Sequence, residues 1–202
     1  MIRLFHFALA ALLLAAAPPQ PASASPPPQA SLPSTSVYHL DVPLVDQDGR
    51  TLDFAAGRGQ VRVVSMFYSS CKYVCPLIID TVKKTRHALG AEEAARLDVL
   101  LVSLDPERDT PAVLARLADS RHLERGRWTL ARTDAGHVRQ LAAVLGIQYR
   151  QLEDGEFSHS SVLVLLDPEG RIVARSERLG EADPEFVAAV RSTLAAASSA
   201  GP

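Results

Sequence analysis

An α/β fold, with a central mixed sheet flanked by helices and an N-terminal β-hairpin, is predicted by three observations. Apolar runs of strand length alternate with segments of helical periodicity from residue 61 to residue 145. Two further strand-like runs then flank a tight turn, and an amphipathic helix follows. Gly, Pro and Asp stand at the joints where the chain must reverse or a helix must stop.

In order, Val37 to Leu44 and Thr51 to Phe54 read as two strands around Asp46-Gln47-Asp48-Gly49-Arg50, with Gly49 supplying a positive φ. Val61 to Tyr68 is a β-branched and aromatic run suited to a buried strand. From Pro76, the apolar positions Leu77, Ile78, Val82 and Leu89 recur at helical spacing until Gly90 can terminate the helix. A strand over Leu97 to Leu104, a helix over Pro111 to Asp119, an apolar piece over Trp128 to Ala131 and a helix over Asp134 to Leu145 continue the alternation. Strands follow near Gln148 to Leu152, Ser161 to Leu166 and Arg171 to Ser176, the last two joined by Asp167-Pro168-Glu169-Gly170. A helix from Pro184 to about Ala196 closes the chain. This succession is the order of a thioredoxin-like fold.

Hydrophobic residues make up 47% and charged residues 22% of the 202, a balance that supports one packed core. The 21 basic and 23 acidic residues are interspersed, giving a net charge of -2 and no basic stripe for a nucleic acid. The lack of an obvious surplus apolar face makes a monomer the expectation.

Residues 1–24 read as a secretory signal: Arg3 precedes the apolar run Leu4 to Ala17, and Ala22-Ser23-Ala24 offers small residues for cleavage. That run is shorter than the ~20 apolar residues of a bilayer span, which makes an uncleaved anchor the weaker alternative. Residues 25–36 continue a Pro/Ala/Ser-rich linker, and the domain is expected over 37–197. The expected location is periplasmic or otherwise extracytoplasmic, with inner-membrane anchoring as the variant of that reading.

The two cysteines of the chain stand in Ser70-Cys71-Lys72-Tyr73-Val74-Cys75-Pro76, at a strand end and ahead of a helix. In a regular helix, positions i and i+4 place Cβ atoms ~5–6 Å apart, wider than the ~3.5–4.5 Å of a disulfide, so the pair suits a shared metal ion. A looped segment would also let it close as a disulfide. Soft Cu(I) prefers thiolates, and an added imidazole creates a set that also holds Cu(II). Placement of Cys75 at a helix N-cap, near Lys72, predicts a depressed pKa for at least one thiol. Core filler or a structural disulfide are the bland alternatives.

Of six histidines, His6 falls in the signal, His87 and His122 in polar stretches, His137 on an amphipathic helix and His39 in the first hairpin as an exposed strand residue. His159 differs. Glu156-Phe157-Ser158-His159-Ser160-Ser161 forms the loop entering the strand Val162 to Leu166, which in a thioredoxin fold faces the cysteine motif. No proline stands at the place where oxidoreductases of that fold carry a cis-proline, which favours ligation by His159 over substrate docking, with a solvated loop histidine as the bland alternative.

The strand plus Cys71-x-x-x-Cys75-Pro76, the segment Val102-Ser103-Leu104-Asp105-Pro106-Glu107-Arg108-Asp109-Thr110-Pro111, and Phe157-Ser158-His159-Ser160 with the later Asp-Pro-Glu-Gly turn together resemble the SCO/SenC family. Its members are periplasmic and mitochondrial copper proteins that help assemble the CuA centre of cytochrome c oxidase. The resemblance implies Cys71, Cys75 and His159 as ligands of copper, as Cu(I) or Cu(II). It implies as recipient apo cytochrome c oxidase subunit II or another copper protein, with a periplasmic thiol reductase or a copper donor as further partners. The residues 105–111 read as structural, a turn and a helix cap. Lys72 and Tyr73 depart from the Pro and Asp common in the family, which leaves the identity of the recipient open. The alternative function is a thiol-disulfide oxidoreductase, with Cys71 and Cys75 redox-active, that reduces the cysteines of an apo copper protein. A peroxidase of the same fold is disfavoured because the approach to Cys71 lacks a Pro and Thr arrangement, and a pure binding module leaves the cysteine pair unexplained.

Overall fold

The structure is a computed structural model describing residues 31–71 and 74–199. The expected signal, the first half of the expected linker, and Lys72 and Tyr73 lie outside the described residues. The elements are β1 (Pro43–Asp46), β2 (Thr51–Asp53), β3 (Val61–Phe67), α1 (Val74–Leu89), α2 (Ala91–Ala94), β4 (Leu97–Ser103), α3 (Pro111–Ser120), β5 (Trp128–Arg132), α4 (Ala135–Leu145), β6 (Tyr149–Gln151), β7 (Phe157–His159), β8 (Leu163–Leu166), β9 (Ile172–Ser176) and α5 (Pro184–Ser199).

Seven strands form one mixed sheet in the order β2-β1-β5-β4-β3-β8-β9. The centre is parallel, with β3 on β4 from Val61↔Leu97 to Phe67↔Ser103 and β4 on β5. Antiparallel strands complete both sides: β8 on β3, β9 on β8, and the β1–β2 hairpin attached through β1 to β5. Every residue of β3 is buried, as a central strand covered on both faces requires. The helix α1 turns Ile78, Ile79 and Val82 into the core, where each is at most 1% exposed. Truncation of such a side chain to Ala costs ~2–5 kcal/mol, and this packing fixes the helix that carries Cys75.

Two expectations are corrected. Val37 to Leu44 is not one strand: the Ser36 side chain accepts from the Tyr38 amide at 3.1 Å and caps a 3-10 turn over Val37–His39. His39 is thus exposed at the end of that turn, its ring Nε2 2.9 Å from the Pro33 carbonyl oxygen, rather than on a strand. The apolar piece at Trp128 proves to be β5, an inner strand of the sheet. Helix boundaries follow local chemistry: Thr110 caps α3 ahead of Pro111, and Asp134 caps α4 by accepting from the Gly136 and His137 amides at 2.8 and 3.1 Å.

Candidate metal and thiol site

At the carboxyl end of β3 the chain passes through Tyr68, Ser69 and Ser70 to Cys71, and α1 begins at Val74. Cys75 therefore occupies the first turn of the helix rather than its N-cap. Neither cysteine is in a disulfide; Cys75 is buried and Cys71 partly exposed. Backbone donors hold them: the Tyr68 amide donates to Cys75 Sγ at 3.4 Å, and the Cys75 amide donates to Cys71 Sγ at 3.3 Å.

Asp109 supports this turn from beneath. Its carboxylate is fully buried and accepts from the Ser69 amide at 3.1 Å, from the Ser69 hydroxyl, and from the Ser103 hydroxyl at 2.5 Å. The neighbouring Arg108 binds Asp105 and donates to the Gly155 carbonyl in the β6–β7 turn, with Glu156 3.9 Å away. The segment 105–111 thus braces the cysteine turn on one side and the β6–β7 hairpin on the other.

That hairpin brings His159 to the cysteines. His159 lies on β7, opposite Tyr149, instead of in the expected open loop. Its Nδ1–H donates to the Ser160 carbonyl at 3.2 Å, which leaves the Nε2 lone pair facing Cys75 Sγ at 3.7 Å across 84 residues of sequence. Burial lowers the His159 pKa, opposed by the bond to Ser160, so the ring is a neutral donor.

The thiol expectation fails at Cys75. Burial raises its pKa far above the ordinary thiol value; the Tyr68 amide opposes this, while Cys71 and Asp109 add to it. Desolvation of a thiolate outweighs the positive end of the helix dipole here. The contribution expected of Lys72 lies outside the described residues.

Residues 34–195 match the SCO1/SenC family model, which is most of the chain. The chain belongs to the SCO1/SenC family. The mitochondrial SCO2 homologue of Bos taurus is 28% identical over 176 residues, covering 81% of this chain and 65% of its own length, so this chain spans less than two thirds of that relative. The copper-bound ScoI of Bradyrhizobium japonicum superposes at a TM-score of 0.64 with 22% identity, over 76% of this chain and 98% of that one. BsSco, described as having a disulfide switch and as a member of the Sco family of cytochrome c oxidase assembly proteins, superposes at 0.65 with 19% identity, over 77% and 92%. These likenesses establish the fold, and copper is the metal held in solved relatives.

Within this SCO1/SenC chain, a cavity of about 540 Å³ opens over Cys71 and His159, with Tyr68, Val74, Leu152 and Phe157 in its walls. A larger groove of about 880 Å³ runs along β9 and α5 and contains neither thiol nor imidazole, so the smaller cavity is the chemically equipped one. Two sulfurs and one imidazole nitrogen are donors of the type that suits copper in both oxidation states. They do not yet form a closed cage: among the described residues no three His, Cys, Asp or Glu groups stand in a ligating cluster. Cys75 and His159 already face each other at 3.7 Å, and the Cys71 sulfur accepts from the Cys75 amide at 3.3 Å.

Sequence reasoning missed Tyr68, Arg108 and Asp109 as neighbours of the site. Tyr68 read as the last residue of a strand, and its contacts come from β7, far along the chain. Asp109 carried the available signal, an acidic residue two positions before a helix-starting proline, but helix capping accounted for it in sequence. No helix among the described residues is long and apolar enough to cross a membrane.

Proposed function

We propose that this protein is an extracytoplasmic copper metallochaperone that assists assembly of a copper site, CuA of cytochrome c oxidase, with Cys71, Cys75 and His159 holding the cargo ion. The observation that carries this reading is the His159 Nε2 lone pair aimed at the Cys75 sulfur at 3.7 Å. Two thiolates suffice for Cu(I), and the imidazole completes a set for Cu(II). Because Cys75 is held protonated by burial, loading the site displaces its proton, and affinity rises with pH. Residues 1–24 serve as the export signal and 37–197 as the working domain, with apo cytochrome c oxidase subunit II as the recipient.

The test is anaerobic titration of the reduced protein with Cu(I) and Cu(II), in the wild type and in His159→Ala. One ion per chain, dependence on both cysteines, and loss of the Cu(II) charge-transfer band in the variant are expected. An unchanged Cu(II) spectrum in His159→Ala refutes the ligand assignment.

The adjacency of the two reduced thiols, with the Cys75 amide 3.3 Å from Cys71 Sγ, also favours a second reading, a reductase of the cysteines of an apo copper protein. In that reaction Cys71 and Cys75 become a disulfide while a partner disulfide receives two electrons and two protons. Absence of tight copper binding together with ready disulfide exchange would select it.

A further inference from the structure

The cysteine turn and the histidine hairpin meet through a side chain that supplies neither sulfur nor imidazole. Tyr68, buried at the end of β3, gives its amide to Cys75 Sγ at 3.4 Å and donates its hydroxyl to the Phe157 carbonyl at 3.2 Å. Its ring meets the His159 imidazole edge-on, with centroids 5.9 Å apart and planes at 74°, and packs on Phe157 at 5.3 Å.

The position of His159 depends on few contacts. β6 and β7 form a two-stranded sheet separate from the main one, with Gln151, Leu152, Glu153 and Asp154 exposed at its turn. A ribbon of two short strands is marginal alone and takes its position from tertiary contacts. At the turn Arg108 holds Gly155, and at the base the amides of Ser160 and Gln148 bond across the strands. Only Tyr68 among these contacts both Phe157 and the cysteines. Phe157 and His159 are two residues apart on β7 and therefore share a face, so a restraint on one is transmitted to the other.

We propose that Tyr68 is a positioning residue that holds His159 over the thiol pair, and that its hydroxyl thereby favours the imidazole-ligated Cu(II) form over a Cu(I) form held by two thiolates. This inference rests on the copper reading of the site. It follows from donor chemistry: Cu(I) is satisfied by the sulfurs, whereas Cu(II) needs the nitrogen, and only the nitrogen is carried by the hairpin that Tyr68 pins. Removing one net hydrogen bond should lower the equilibrium constant between pinned and released hairpin about 3–10-fold.

The experiment uses Tyr68→Phe, which keeps the ring and its packing and deletes only the hydroxyl. Affinities for Cu(I) and Cu(II) are measured by chelator competition, and amide exchange is measured in the reduced, metal-free protein. Expected are a Cu(II) affinity about 3–10-fold weaker, a Cu(I) affinity unchanged within about twofold, and a displaced sulfur-to-Cu(II) charge-transfer band. Amides of residues 157–160 should exchange faster by a similar factor while those of β3 and β4 keep their rates. Equal weakening for both ions with an unmoved band, or an unmoved affinity ratio, overturns the proposal. Should the wild type bind no copper, the copper reading fails instead. Exchange in the metal-free protein then still decides whether Tyr68 pins the hairpin, and unchanged rates at residues 157–160 overturn that too.

Discussion

Replacing Asp109 tests whether the cysteine turn is held from below by a buried carboxylate. The group is fully buried and meets three donors: the Ser69 amide, the Ser69 hydroxyl and the Ser103 hydroxyl. Hydrogen bonds to a charged acceptor contribute ~1.5–3 kcal/mol each, non-additively, and an orphaned buried donor costs ~1–3 kcal/mol. Ser103 has little freedom to seek another partner, because its oxygen already accepts from the Asp105 amide at 2.9 Å. Asp109→Ala should therefore lower stability by ~3–5 kcal/mol in urea unfolding of the reduced protein. Asp109→Asn retains one acceptor but turns an NH2 toward Ser103, and should cost ~1–2 kcal/mol. The same series has a chemical readout. Asp109 adds to the rise in the Cys75 pKa, so Asp109→Asn should move that thiol downward and speed its alkylation at a fixed alkaline pH. A stability loss below ~1 kcal/mol for Asp109→Ala would refute the argument, since the fully buried Ser103 hydroxyl and two half-buried Ser69 donors cannot be abandoned so cheaply.

Stability of the reduced, metal-free protein should depend on pH from both sides. His159 has a pKa lowered by burial, so the unfolded chain binds its proton first and stability falls as pH drops below about 6.5. The Cys75 pKa is raised, so its contribution is complete below about pH 8.5 and is lost as pH rises beyond it. Thermal unfolding across pH should show a plateau between these limits, and an acid limb of unchanged slope in His159→Ala would contradict the first assignment. Gly170→Ala should destabilise by more than ~2 kcal/mol, because φ is +80° and an added Cβ would stand 2.4 Å from the Tyr38 ring. Its turn lies at the end of the sheet away from the cysteines, so copper affinity measured by competition should be unchanged.

The reading of His159 shows how far local pattern reaches. Its place just ahead of a buried strand was visible, because Val162 to Leu166 is an uninterrupted apolar run. That it lies on a strand was not visible, since Phe-Ser-His is too short to display a period and is held by pairing with Tyr149 to Gln151. The first hairpin shows a complementary limit. Gly49 marked its turn, with φ at +76°, yet the β-favouring residues Val37 and Tyr38 were drawn into a 3-10 turn by the Ser36 cap and by the Val37 amide bonding to the Gly170 carbonyl at 2.9 Å.

By itself the sequence determined the alternation of strands and helices, the cysteine pair between a buried strand and a helix, and the family likeness carried by those motifs. These depend on neighbours within a few residues, where periodicity, capping and spacing act directly. The tertiary structure alone decided which histidine nitrogen faces Cys75, that Asp109 and Tyr68 hold the two halves of the site, and that Cys75 keeps its proton. The last reverses the local expectation for a physical reason: a helix terminus acts over one turn, whereas desolvation is set by everything packed around the sulfur, and here the surroundings dominate.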